Sequence, residues 1–369
     1  MNTAERRAVA ALWALRGVGP RTLERVRERV GPPGALLERP FEDWVDAVAW
    51  RAEARQSLAA WRCLEDVADH VERRCRATGQ HVIFPGDAQW PARLDELGDA
   101  PPVLFIRGPG ASGPPRRRLA FVGTRHPECG ARAAAVRFAS EVAAAGIGVV
   151  SGAAVGIDQC AHFGALDARG ETWAFLGCAL DQVDAPQVAV VARMLAEGGT
   201  VFSQFPPGAR SNQSSFTVRN RLIAGASDAV LVFRAPSNSG ALYTAAAAFR
   251  YRRPVLVTPG DPWNSAAAGS NALLLRGASP CLSLPDVRRA IGLAQSLSER
   301  PPAPAASHVE VSSLSAAAQA ALAALRAPMS FEGLQEAAAL PPDVLAAALI
   351  ELELHALVLQ KAGRRFERR

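Results

Sequence analysis

LAFVGTRHPECGARAAAVRFASEVAAAGIGVVSG, residues 119–152, decides the fold. It opens on an apolar run, LAFVG (119–123), crosses a short polar loop and an alanine-rich stretch of helical length, and closes on a second apolar run, IGVVSG (147–152). Four more such runs follow, TWAFLG (172–177), TVFSQF (200–205), AVLVFRA (229–235) and PVLVTPG (254–260), each separated from the next by helical sequence. A strand that is apolar along its whole length is covered on both faces, the condition of a parallel strand between two layers of helices. The alternation predicts an α/β domain with a doubly wound parallel sheet and right-handed crossovers.

Working outward, composition divides the chain into four regions. Residues 1–80 show helical periodicity without strand runs, 81–292 form the sheet domain, 293–312 a linker that includes the Pro/Ala-rich RPPAPAASH (300–308), and 313–369 a small tail domain. Within the first, ALRGVGPRTLERV (14–26) places Gly17 and Gly19 where a helix-hairpin-helix needs its tight turn. The tail reads as three helices and then a two-stranded wing, LVLQ-KAG-RRFER (357–368), a winged-helix pattern.

The 369 residues suffice for two or three domains, and 49% hydrophobic with 21% charged residues is a globular composition. No apolar run approaches the roughly 18 residues that span a bilayer, and the first residues lack a secretory signal. Membrane association is therefore not expected. Six cysteines lie far apart with no C-x-x-C pair, which predicts neither a disulfide framework nor a zinc site, and a reducing, cytoplasmic setting. The formal net charge is +6 and the pI about 9.4, a balance that favours a polyanionic partner. Lys361 is the only lysine among 41 basic residues, however, so arginine abundance carries less weight than arginine placement.

In a doubly wound sheet, ligands bind beyond the carboxyl ends of the strands. Those ends here read GTR (Gly123, Thr124, Arg125), SGAAVGID (beginning Ser151, Gly152 and ending Gly156, Ile157, Asp158), SQFPPG (203–208), APSNSG (235–240, ending Ser239, Gly240) and TPG (258–260). Several lead straight into a helix, whose free amides and dipole favour an anion. Between Glu197 and Asp261 the only carboxylate is Asp228, against seven arginines that include Arg219, Arg221 and Arg234. Phe216 stands just before Arg219 and Arg221; an aromatic beside arginines suits a single nucleic-acid strand, stacking a base beside phosphate clamps. Spacing alone leaves Phe216 equally able to pack under its helix.

Enzymatic signatures are scarce. The chain has no G-x-x-x-x-G-K-[ST], no G-x-G-x-x-G after the first strand and no G-x-S-x-G. Asp158 and His162 share a helix face, but a pair without a third ligand is a poor metal site. Asp158 is better placed to cap its helix, and His162 to bond within the loop network. No catalytic residue, metal or cofactor is expected.

Eight segments carry a resemblance: FPGDAQWPARL, PPVLFIRG, FVGTRHPECG, VVSGAAVGIDQCAHFGAL, FTVRNRLIAGASDAVLVF, SGALYTAAAA, RRPVLVTPG and GSNALLLRGA, in order across residues 84–278. Together they resemble the DNA-processing protein family DprA, also called Smf. The resemblance implies a Rossmann-like domain, with a SAM-like helical domain before it and a winged helix after it. It implies single-stranded DNA as ligand, a homodimer, the recombinase RecA as partner in natural transformation, and no turnover. Carried over by motif, Arg125, Phe216, Arg219, Asn220 and Arg221 would contact DNA, while Gly152, Gly156, Asp158, Ser239 and Gly240 would shape the pocket. The sequence departs from the family pattern at Gln204 and Arg234, where glutamate is usual, and at Asn238, where lysine is common. Arg234 would then replace the phosphate contact that Asn238 lacks.

The flanking regions add possible contacts to double-stranded DNA. Arg16 and Arg21 flank the glycine turn, although a packing role for that bundle is the stronger expectation. The candidate recognition helix, about 341–356, carries Asp343, Glu351 and Glu353 and no arginine, which suits protein contact better than a major groove. Two other readings remain at this stage: a nucleotide-processing enzyme of the phosphoribohydrolase type, which would lack a carboxylate between Ala229 and Gly260, and a duplex-DNA-binding regulator working through the winged helix.

Overall fold

Nine strands form one sheet: β1 (His81–Ile83), β2 (Leu104–Arg107), β3 (Arg118–Val122), β4 (Gly148–Ser151), β5 (Thr172–Phe175), β6 (Thr200–Ser203), β7 (Ala229–Val232), β8 (Val255–Val257) and β9 (Ser279–Pro280). Their spatial order is β1-β2-β6-β5-β4-β3-β7-β8-β9. This computed structural model describes residues 1–111, 116–293, 314–354, 357–361 and 365–368. All six expected strands are present and mutually parallel. The sequence reading missed the antiparallel edge, in which β1 pairs with β2 and β2 with β6, and the two-residue β9.

The winding follows from alternation. Leu119, Phe121, Val149, Ala229 and Leu231 point to one face, against helices Cys129–Ala144 and Ile157–Asp167. Ala120, Val122, Val150, Val230 and Val232 point to the other, against helices Gln213–Gly225 and Ala241–Arg250. The chain runs outward from β3 through β4 and β5 to β6, then returns to β7 on the far side of β3. The β3–β7 pair is therefore the topological switch point, where the loops beyond the carboxyl ends part to leave a crevice.

The helices of residues 1–80 share a core with the sheet. Leu12, Val67 and Val71 belong to one buried set with Phe105, Ala174 and Val201 of β2, β5 and β6. Residues 1–294 accordingly form one compact unit. Helix Thr3–Ala14 is followed by helix Pro20–Arg29, and Gly17, in the turn between them, has φ +74° and lies against Ala54 of helix Ala52–Leu58.

The tail is a separate unit with its own core, including Leu322, Leu334, Leu345, Leu352 and Phe366. Helices Ala316–Ala324, Phe331–Ala338 and Pro342–Leu354 precede strands β11 (Val358–Lys361) and β12 (Arg365–Arg368), and β12 also pairs with β10 (Met329–Ser330). The third strand, β10, extends the expected two-stranded wing. Helix Pro342–Leu354 exposes Asp343, Val344, Ala346, Ala347 and Ile350, a face without a basic side chain. The expected linker falls, apart from Leu293, outside the described residues.

Asp228, the isolated carboxylate, sits at the amino end of β7. It accepts from the Arg118 amide at 2.8 Å and pairs with Arg117 at 2.8 Å and with Arg93, fixing β3 against β7 at the end opposite the crevice. Burial alone would raise its pKa, but Arg93, the Arg118 amide and Arg117 outweigh that and hold it below the ordinary carboxylate value. A depressed folded-state pKa contributes stability above the unfolded value of about 3.9 and loses it as pH falls through the folded one. Asp228→Asn should cost about 2 kcal/mol at neutral pH in urea unfolding, since its arginine partners are part-exposed. Below about pH 4 the gap to the wild type should narrow; equal urea midpoints at neutral pH would show that this lock is dispensable.

Candidate nucleic-acid interface

The crevice at the switch point is a cleft of about 690 Å³. Its walls come from the loop after β3 (Gly123, Thr124, Arg125, His126), the loop after β7 (Pro236, Asn238, Ser239, Gly240) and the first turns of helices Ile157–Asp167, Gln213–Gly225 and Ala241–Arg250. Three helix N-termini thus meet in one place. The first has no side-chain cap bond; the second is capped by Asn212, whose Oδ1 accepts from the Ser215 amide at 2.8 Å, and at the third the Ser239 Oγ accepts from the Ala241 amide at 3.3 Å. Three converging N-termini favour anions.

A chain of hydrogen bonds holds these loops in place. The Thr124 amide donates to the Arg234 carbonyl at 2.6 Å, and the Ile157 amide to the Thr124 carbonyl at 3.2 Å. Gly123 has no room for a side chain, because a Cβ would press on Ile157. Gly156, at φ +100°, lies against Thr124 and Arg125, where a Cβ would strike their backbone. Ala153 also has a positive φ, 56°, so the loop 152–156 stores local strain. Ser151 is fully buried and donates to the Phe121 carbonyl at 2.6 Å.

Arg219 lies beneath this loop, 3% exposed. Its Nη1 donates to the carbonyls of Gly152 and Phe175, both at 2.6 Å, joining the ends of β4 and β5. The Gly152 amide donates to Asp158 Oδ2 at 3.2 Å, so both peptide groups that flank Gly152 are held by buried charged side chains. A side chain at Gly152 would collide with the guanidinium. Burial lowers the Arg219 pKa, with Asp158 opposing and Arg125 adding to the shift; burial raises that of Asp158, with Arg219 opposing. Among the described residues, Asp158 is the only carboxylate that lines the cleft.

The expected Arg219–Arg221 clamp does not form. Residues two apart on a helix are separated by about 200° and do not share a face. Phe216, Arg219 and Asn220 face the cleft side; Arg221 turns away, bonding the Asp99 carbonyl and, at 3.2 Å, Gln204 Oε1. Asn220 Nδ2 donates to the Gly240 carbonyl at 3.2 Å and so holds the loop after β7. Arg234 does not line the cleft: its guanidinium faces Glu128 at 3.7 Å, so it does not stand in for the contact that Asn238 lacks.

Phe216 packs and lines the cleft at once. Its ring lies against Gly177, where a Cβ would come within 2.8 Å, and its remaining surface faces the cleft beneath exposed Arg125, whose Cζ is 5.5 Å from the ring centre. Asp158 is the second residue of its helix and does not occupy the cap, which is Gly156. His162 is fully buried and bonds Thr172 Oγ1 at 2.7 Å, at the start of β5 rather than in the loops; burial pushes its pKa down to about 3. Sequence reasoning missed Tyr243, exposed on the first turn of helix Ala241–Arg250, and His126. Tyr243 had a signal, an aromatic three residues after the Ser239-Gly240 loop. Among the described residues, no group of three potential ligands is placed to hold a metal ion, and no helix is long and apolar enough to cross a membrane.

Residues 81–292 match the family model described as DNA recombination-mediator protein A. A Mycobacterium tuberculosis protein bearing the DprA name is 34% identical over 266 residues, covering 69% of this chain and 68% of its own length. The X-ray structure of DNA processing protein A from Streptococcus pneumoniae shares the fold, with a TM-score of 0.62 at 24% identity over 78% of this chain and 98% of that one. A structure of DNA processing protein A from Helicobacter pylori, described for its single-stranded DNA binding mode, aligns at 27% identity with a TM-score of 0.50, covering 58% and 94% of the two chains.

The two arginines nearest Phe216 should separate in their effects. Arg219→Ala strands two buried carbonyls and the Asp158 carboxylate, and should cost about 3 kcal/mol in denaturant unfolding. Arg125→Ala, at an exposed position without an ion pair, should stay within about 0.5 kcal/mol of the wild type. Equal stability losses would refute the distinction.

Proposed function

The chain belongs to the DNA recombination-mediator protein A family, and on that premise we propose that the cleft between the β3 and β7 loops holds single-stranded DNA. The observation that carries this reading is the convergence of three helix N-termini, exposed Arg125 and the faces of Phe216 and Tyr243 on one cleft with a single, buried carboxylate. Phosphates lie against the backbone amides of Arg125 and Gly240 and the Arg125 guanidinium. Bases stack on Phe216 and Tyr243, displacing the Arg125 guanidinium from the ring toward a phosphate. Ser151, Gly152, Gly156, Asp158 and Arg219 act from beneath, by shaping the loops and by the fixed positive charge of Arg219. Arg221 and Arg234 have no part in this contact.

The mediator protects the incoming strand and delivers it to RecA during natural transformation. Binding and delivery need no chemistry, and the cleft offers little for any: Asp158 is buried and bonded to Gly152, and His162 faces Thr172 inside the fold. A second copy of the chain docks at the free edge of the sheet. There Leu275 and Leu282, 92% and 78% exposed, flank the short β9. Leu275→Glu/Leu282→Glu should shift a dimer to monomer in sedimentation; an unchanged dimer would place the contact elsewhere.

Affinity for oligo-dT should fall steeply with salt, with a log–log slope of about −0.7 per phosphate neutralised. Arg125→Ala should make that slope shallower by about 0.7, and Phe216→Ala should cost about 1–3 kcal/mol with the slope kept. A protein with no salt-sensitive preference for single strands would end this reading, and hydrolysis of nucleoside monophosphates would replace it with an enzymatic one.

A further inference from the structure

The cleft shares part of its wall with a second, larger groove. Ser211 and Asn212, at its edge, also line a groove of about 1090 Å³ between the sheet and the N-terminal helices. That groove reaches Gly17 and Val18, in the turn before helix Pro20–Arg29. The Trp13 indole closes its floor by donating to the Gln204 carbonyl at 2.7 Å.

The groove combines the two features that a single strand needs. Trp61 and Phe205 are half-buried, each with surface open to it. Arg16 and Arg210 are exposed on it, and neither side chain has a hydrogen bond or ion pair among the described residues. Among the described residues, the groove carries one carboxylate, Glu53. Aromatic faces accept any base, and cations without partners accept phosphates. The helical region and the sheet belong to one compact unit with a shared core, so groove and cleft keep a fixed relation. A duplex does not suit the path, because its bases are paired and turned inward and cannot reach Trp61 or Phe205.

We propose that single-stranded DNA leaving the cleft past Ser211 and Asn212 continues through this groove toward the Gly17 turn, stacking on Phe205 and Trp61 and holding its phosphates with Arg210 and Arg16. The proposal rests on the cleft as the primary site and extends it. It makes the N-terminal helices part of the DNA path, and it makes strand length, not sequence, the quantity the protein measures.

The test compares two oligothymidylates, one of about four nucleotides and one of about sixteen, against the full chain and its Arg16→Glu/Arg210→Glu variant. Both positions are exposed and unpaired, and a matching thermal unfolding curve verifies the fold. The wild type should bind the long strand more tightly than length statistics alone require. The variant should keep short-strand affinity, lose about tenfold on the long strand and show a salt slope shallower by about 1.4 on that strand only. Photocrosslinking of a bromouracil-substituted long strand should label Trp61 or Phe205. Equal long-strand affinity and slope in variant and wild type would overturn the proposal while leaving the cleft intact. Failure of the wild type to bind either strand would overturn both.

Discussion

The guanidinium of Arg219 organises the carboxyl edge of the sheet. Burying a cation is costly unless hydrogen bonds and opposite charge compensate, and here the carbonyls of Gly152 and Phe175 and the carboxylate of Asp158 do so. From that anchor the bonding runs across four strands. Gly152 is held at the end of β4, the strained turn through Ala153 and Gly156 delivers the Ile157 amide to Thr124 beyond β3, and the Thr124 amide reaches Arg234 beyond β7. Asn220, next to Arg219 on the same helix, closes the circuit by holding Gly240. One helix thus grips both walls of the cleft. The glycines at 123, 152 and 156 are needed because each closes a gap in this circuit too small for a Cβ.

Much of this was legible in the sequence, for a physical reason. The six parallel strands are buried on both faces, so each is written as an unbroken apolar run, and the switch point follows from their order. The antiparallel edge was not legible because β1, HVI, and β2, LFIR, are short segments among loop residues, and β9 is two residues long. The loops of the cleft were readable from their glycines and hydroxyls. The roles of the arginines were not, since RNR (219–221) shows three polar residues in a row and conceals that the helix sends the first inward, the second to a loop and the third to the opposite side. Phe216 was undecidable from spacing because its environment is set by Gly177, which is remote in the chain. Arg234 misled for a related reason: position at a strand end fixes a backbone, not the direction of a long side chain, and Glu128 claims that guanidinium.

The arrangement also separates affinity from selectivity. Helix N-termini and a buried cation are fixed in the fold, so in the proposed complex a phosphate would meet a positive field that needs no reordering. None of these groups distinguishes one base from another. The aromatic faces of Phe216 and Tyr243 are equally indifferent, because every base has a face to stack. In the proposed complex the exposed charges, Arg125 above all, would supply the salt-sensitive part of the interaction, while Arg219 is locked under the loop. A site built this way would grip a polyanion through a fixed floor and release it through exposed side chains, the combination that the proposed uptake and surrender of a strand of any sequence requires.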